Sequence, residues 1–325
     1  MSEESLFSRE ERAISKAEAI LDSLNCTPEQ INAAFCELLT DYKKLYKQMS
    51  RLLKINDKNQ LVLKDLTDEL RRTSTILEKQ NHELQADLKI AAEIQKQIFE
   101  LDWQPSFLQI ESLYFPHSHV SGDIYHMVNN LTDRVDIFLG DATGHGVGAA
   151  LSTIMAYMVL IQHEDEPSLV RVMEQMNHIF VNHLPEDRFL SGVFLRIFND
   201  GRLRISNCGH PDVLIIPASG EAPLMLNPSG PLLGIIPGNL IHFKEEEYRM
   251  NPGDLAFLYT DGLTEAFNNT YEQLGLPKVV ALLREYRQLP LKEILSKLVT
   301  LQIGFTMNRP RDDDMTMIAV RYTGQ

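Results

Sequence analysis

The sequence predicts an α+β fold: a layered domain of short strands and covering helices, preceded by a long N-terminal helical coiled coil. Three observations lead there. All 17 glycines lie at or after Gly122 and 14 of the 15 prolines at or after Pro105, so the 76 residues between Pro28 and Pro105 hold neither. Those are the two residues that most readily end helices. Within that stretch apolar residues recur with a heptad period, and from residue 105 onward the pattern turns to period-2 runs separated by tight turns.

The first element is a short helical segment within residues 1–28, with a helix expected near residues 8–24. The long helix then has a marked start. In Thr27-Pro28-Glu29-Gln30, Thr27 suits the N-cap, Pro28 the first helical position, and Gln30 completes a capping box. Alternating steps of four and three pass through Ile31, Phe35, Leu38, Tyr42, Leu45, Met49, Leu52, Asn56, Asn59, Leu63, Leu66, Leu70, Thr73, Leu77, Gln80 and Leu84, and 12 of these 16 positions are apolar. Such persistence is a coiled-coil signal, and a helix of this length would reach roughly 110 Å, beyond the span of one domain. Asn56 and Asn59 fall in the seam, where buried amides cost stability but set register and strand number. A parallel homodimer through residues 31–84 follows; an antiparallel pairing, or packing of the helix near residues 8–24 onto the long one, stays open.

After Leu84 the phase slips to Leu88, Ala91, Gln95 and Ile98. A four-residue insertion of this kind is a stutter, which locally unwinds a supercoil. The organisation expected is therefore residues 1–28 as the short helical segment, 29–104 as coiled coil and linker helix, and 105–325 as the globular domain.

In that domain strands are expected at Leu108–Phe115, Val135–Leu139, Ser191–Phe198, Arg202–Ser206, Val213–Pro217, Ile241–Tyr248, Leu255–Tyr259 and Met315–Tyr322. Helices are expected at Gly146–Gln162, Ser168–His183, Pro277–Tyr286 and Leu291–Gly304. Strands interleaved with helices imply sheets covered by helices.

Composition narrows the function. Hydrophobic residues make up 44% of the 325, enough for a sizeable core, and the net charge of −14 argues against nucleic acid or an anionic membrane as the main partner. Three scattered cysteines (Cys26, Cys36, Cys208) without a CxxC pair fit a reduced cytoplasm and neither a disulfide framework nor a zinc site. The charged start, MSEESLFSREER, lacks the apolar stretch of a signal peptide, and no apolar run approaches the 18 residues of a membrane span.

Four acidic positions share one grammar, an aspartate at a strand end beside glycine or more aspartate: Ser121-Gly122-Asp123, Gly140-Asp141, Asp261-Gly262 and Asp312-Asp313-Asp314. Singly each reads as a turn or a solvated loop. Together at one edge they would repel unless a cation joined them, and oxygen-only donors favour Mg²⁺ or Mn²⁺ over zinc or copper.

Five segments, read in order, resemble the PPM-type metal-dependent protein phosphatases, in the branch of stage II sporulation protein E (SpoIIE) and the RsbU-like sigma-factor regulatory phosphatases. They are SGDIYH at 121–126, GDATGHGVGAA at 140–150, CGHPDVLII at 208–216, LYTDGLTEA at 258–266 and DDMTMIAVRY at 313–322; AAEIQKQIF at 91–99 resembles the helix leading into that domain. The resemblance implies an αββα sandwich and a two-metal (Mn²⁺ or Mg²⁺) hydrolase acting on phosphoserine or phosphothreonine in a small phosphorylated regulator such as an anti-sigma-factor antagonist. Carried over, Asp141 would bridge two ions with help from the Ala142 carbonyl. Asp261 and Asp313 would hold one ion, Asp123 the other side, and Asp314 stands at a variable Asp/Asn position. His145 would protonate the leaving serine oxygen, and His210 and Glu265 would order loops beside the site. His126 replaces a usual aspartate, and a ligand, a proton donor and an exposed loop residue are all open readings of it. The alternative is a catalytically inactive, phosphatase-derived binding module that works in partner switching, against which the retention of Asp123, Asp141, Asp261 and Asp313 speaks.

Overall fold

The computed structural model describes residues 8–22, 27–99, 105–131, 133–307 and 309–324. Cys26 and the linker at 100–104 lie outside the described residues. The chain divides into two compact units, Met1–Glu83 and Leu84–Gln325.

In the first unit, α1 (Ser8–Leu21) precedes α2 (Pro28–Phe99), a single helix of 72 residues that runs on into the second unit. The capping box forms: the Thr27 N–H donates to Gln30 Oε1 at 3.1 Å, and the Gln30 N–H donates to Thr27 Oγ1 at 3.4 Å. Of the packings the sequence leaves open, α1 adopts the one against the long helix. Lys16 pairs with Glu37 at 2.8 Å, and Ile14 shares an apolar cavity of about 340 Å³ with Phe35, Leu38, Tyr42 and Leu45. The seam farther along, from Met49 through Leu52, Leu63, Leu66, Leu70 and Leu77 to Leu84, is exposed in the single chain.

The division into units falls at the stutter. The positions after the slip, Leu88, Ala91, Gln95 and Ile98, are the ones that turn inward in the second unit; Gln95 is buried and Ile98 packs on the main core. Residues 84–99 therefore count with the globular unit, although by sequence pattern alone the boundary falls at 104.

That unit is an αββα sandwich. One sheet has the order β1 (Leu108–Phe115), β11 (Met315–Tyr322), β10 (Leu255–Tyr259), β6 (Val213–Ile216), β7 (Leu224–Leu226). The other runs β2 (Asp123–Leu131), β3 (Arg134–Ala142), β4 (Leu190–Phe198), β5 (Arg202–Cys208), β8 (Ser229–Gly230), with β9 (Glu246–Arg249) also on β5. Alternation along a strand sends successive side chains to opposite faces. In β11, Ile318 and Val320 enter the core between the sheets, whereas Met315, Met317 and Ala319 face outward. The outward set is covered by α6 (Leu276–Tyr286) and α7 (Leu291–Thr306) through Val279, Leu283, Ile294 and Leu298. The other outer face is covered by α3 (Val147–Gln162) and α4 (Leu169–His183) through Ala156, Val159, Met173 and Met176. Because both faces of β10 are buried, its sequence reads LAFLY without polar interruption.

Two expectations shift. The strand expected at Ile241–Tyr248 shrinks to Glu246–Arg249, since Ile241 and Phe243 bury their side chains from an unpaired segment. Strands β2, β7 and β8 and the one-turn helix α5 (Asp261–Thr264) go beyond the elements that the sequence pattern predicts.

Candidate active site

The site is built where β2 and β3 meet. These strands pair antiparallel with Asp123 directly opposite Asp141. Like charges in that position destabilise a ladder, and the strain is relieved either by protonation of a carboxyl group or by a cation. Gly122 permits it: a Cβ there would fall 2.9 Å from the Ala142 carbonyl and 3.0 Å from that of Gly144. Asp261 opens α5 at the end of β10, and Asp313 precedes β11. Gly262 lies so close to the Asp314 carbonyl that any side chain would collide with it.

Electrostatics ties the four carboxylates together. Burial, then repulsion from Asp261, Asp313 and Asp314, pushes Asp141 up to about 8. Asp123 is driven well above the usual carboxylate range by burial and then by Asp141. Asp261 is raised by burial, then by Asp313 and Glu265. Among the described residues no lysine or arginine pairs with any of them. Nor do three acidic or histidine side chains among the described residues close around one point; the donors stand at one edge without forming a finished cage. An all-oxygen set whose members raise one another's pKa suits a hard divalent cation.

Around these carboxylates, neighbouring residues fix rotamers and loops. Asp123 Oδ2 accepts from Thr260 Oγ1 at 2.9 Å and from Thr316 Oγ1, which fixes its rotamer. Asp314 serves mainly as a loop anchor, because its two oxygens accept the N–H groups of His117 at 2.6 Å and Gly122 at 2.7 Å and so pin the segment before β2. His145 is exposed on the glycine loop and meets the His117 ring edge-on, with centroids 6.0 Å apart. His117 in turn contacts the Arg311 carbonyl through Nδ1 at 2.8 Å. His210 is buried, held down to about 3 chiefly by desolvation, and its Nδ1 meets Ser191 Oγ at 2.9 Å. Ser191 is the ladder partner of Asp141, so the histidine braces the strand behind the site. Glu265 lines a small cavity of about 100 Å³ with Asp261, Gln302, Arg311 and Asp313.

His126 fits none of the roles its motif position suggests. It lies within β2, offset by an odd number of residues from Asp123 and so on the opposite face. Its ring packs edge-on against Tyr157 at 5.0 Å, and burial lowers it to about 4. Three contributors escape a reading of the sequence: His117, Thr260 and Thr316. The two threonines stand inside the LYTDG and DDMTM segments, where their position beside the aspartates is the signal that marks them as carboxylate anchors.

Known proteins share this arrangement of strands and helices. The family model of stage II sporulation protein E (SpoIIE) matches residues 132–323. The chain belongs to the SpoIIE family. Among relatives of this SpoIIE-family chain, the phosphoserine phosphatase RsbP of Bacillus subtilis is 27% identical over 70% of the chain, which spans 56% of RsbP. The SiaA PP2C domain of Pseudomonas aeruginosa shares the fold with a TM-score of 0.65 at 20% identity, over 74% of this chain and 98% of that domain. RsbX, solved in complex with magnesium, has a TM-score of 0.54 at 18% identity, over 68% of this chain and 98% of its own. The second unit is thus a SpoIIE-family phosphatase domain in fold. Among the described residues no helix is long and apolar enough to cross a membrane.

Proposed function

We propose that this SpoIIE-family chain is a metal-dependent protein serine/threonine phosphatase, dimerised and regulated through its coiled coil. The observation that carries the proposal is the opposed pair Asp123–Asp141 with Asp261 and Asp313 at the same edge, where burial and mutual repulsion raise the first three in pKa and no protein cation pairs with them among the described residues. Asp141, the Ala142 carbonyl, Asp123, Asp261 and Asp313 would hold two Mn²⁺ or Mg²⁺ ions, with Asp314 last because it already anchors the loop. When bound, such ions supply a low-pKa water and offset charge on the phosphoryl group. Support for a divalent ion comes from the oxygen donors and from the magnesium complex of RsbX.

The chain's own groups do the rest. Thr260 and Thr316 keep Asp123 oriented; Asp314 holds the 117–122 loop against β11. His145, beside His117 at the rim, delivers a proton to the serine oxygen as its bond to phosphorus breaks and water's oxygen replaces it. The products are a free hydroxyl and inorganic phosphate, with no phospho-enzyme. The substrate class that the motif resemblance implies is a small phosphorylated regulator in the cytoplasm, such as an anti-sigma-factor antagonist; the relative named phosphoserine phosphatase RsbP supports phosphoserine as the group attacked. Phosphate release from a phosphoserine protein, with Mn²⁺ and with EDTA, tests the proposal. Release only with the metal is expected; equal release in both, or none in either, would overturn it.

A further inference from the structure

Arg188 lies against the glycine loop that leads out of Asp141. It immediately precedes the Phe189–Thr143 pairing that prolongs the β3–β4 ladder beyond Ala142–Leu190. Its Nη1 donates to the Thr143 carbonyl at 3.0 Å, two residues after Asp141. The guanidinium rests on the glycine loop: a Cβ on Gly148 would fall 3.1 Å from Nη2 and 3.2 Å from Cζ, and one on Gly144 would fall 3.4 Å from Nη1. Glycine at those positions therefore leaves the room that the planar group occupies.

This arginine is half-buried in a region, residues 105–325, of net charge −10, yet among the described residues no carboxylate pairs with it. A guanidinium carries five donors in a fixed fork, and the Thr143 carbonyl uses one. Beside it begins α3, 16 residues long, whose N-cap Gly146 offers no side-chain acceptor to the first amides. An uncapped helix start and an unpaired arginine both favour an anion at one loop. That loop leads directly out of Asp141.

We propose that Arg188 is a substrate-binding residue: its free guanidinium edge takes an oxygen of the phosphoryl group on the phosphoserine or phosphothreonine protein, and of the phosphate product. This rests on the phosphatase reading above. A neutral residue at 188 would weaken phosphoryl binding, whereas lysine would keep the charge and lose the fork.

The test uses the full chain in Mg²⁺ buffer, wild type beside Arg188→Ala and Arg188→Lys, each checked for folding by circular dichroism. Inorganic phosphate affinity is measured by calorimetry, and KM and kcat with a phosphoserine peptide. Arg188→Ala should weaken phosphate binding and raise KM by about tenfold or more, the loss expected for a charge-assisted hydrogen bond, with Arg188→Lys between the two. Phosphate affinity and KM within twofold of wild type in both variants would overturn the proposal. So would a fall in kcat alone with phosphate affinity unchanged, since that is the mark of a residue that only holds the loop. A wild type that binds phosphate through Arg188 but never releases it from the peptide would sink the phosphatase reading and leave this subsite standing.

Discussion

The side-chain amide of Gln95 brackets the peptide of Ser121: Nε2 donates to the Ser121 carbonyl and Oε1 accepts its N–H, both at 3.0 Å. The same Nε2 lies 3.2 Å from Thr153 Oγ1 on α3. Ser121 Oγ then accepts the Asp123 N–H at 3.0 Å, so two links join the end of α2 to the backbone of Asp123.

Loss of that bracket should loosen the site before it unfolds the domain. Gln95→Ala leaves two buried peptide groups unpaired and should cost about 1–3 kcal/mol. In urea titrations the variant should unfold at lower denaturant, and half-maximal activity should need more Mn²⁺. Unchanged metal dependence would show that the helix end does not orient Asp123.

The same helix carries the heptad, which makes the coil a candidate controller. Deleting residues 1–85 should alter turnover or the response to a partner; identical kinetics would remove the regulatory role.

Dimerisation has its own test. Leu63, Leu66 and Leu70 are about two-thirds exposed in the single chain (62%, 59% and 70%). Sedimentation should report a dimer for the wild type and a monomer for Leu63→Asp/Leu70→Asp, because charges at seam positions cannot be buried in pairs. A monomeric wild type would contradict the assignment.

A buried ion pair locks the opposite end of the β3–β4 ladder. Arg196 grips Asp136 in a fork of 2.7 and 2.6 Å and donates to the carbonyls of Pro167 and Glu166. Both side chains are almost fully buried, so Arg196→Ala should cost about 3–5 kcal/mol by stranding the carboxylate. Chemical denaturation of Arg196→Met/Asp136→Leu should show a smaller loss than Arg196→Met alone.

Acid should weaken the domain through two histidines. His126 and His210 are held near 4 and 3 in the fold, below the unfolded value near 6.5, so each is neutral when folded. Their contribution is complete above about pH 6.5, is lost as pH falls below that unfolded value, and is gone once pH has passed the folded values. Between pH 7 and pH 5 the loss should be about 2 kcal/mol for each. The raised carboxylates act in the opposite sense, so the readout is a difference: His126→Phe should lose about 2 kcal/mol less than wild type over that interval. Equal losses would contradict the burial of His126.

Much of this is legible in the sequence, and the reasons are physical. Strands β1, β10 and β11 form with the bounds their sequences predict, because β10 and β11 are buried on both faces and so are apolar along most of their length, and β1 ends at clear turn signals. The stutter marks where α2 enters the second unit, since residues 88–98 turn their apolar stripe toward the globular core. Strand β2 is hidden by its polar content, DIYHMVNNL, and by the irregular pairing between Val128 and Leu131. The aspartates can be named from their strand ends, but Asp314's grip on two backbone amides and Arg188's place over the glycine loop depend on contacts between residues far apart in the chain. No local pattern encodes those contacts.

The most direct test of the central claim is Mn²⁺-dependent phosphate release from a phosphoserine protein by the wild type and by Asp141→Ala, with Mn²⁺ binding followed by calorimetry in the same samples. The account predicts that Asp141→Ala stays folded, binds Mn²⁺ weakly and loses at least about a hundredfold in turnover. Turnover by Asp141→Ala equal to that of the wild type would contradict it.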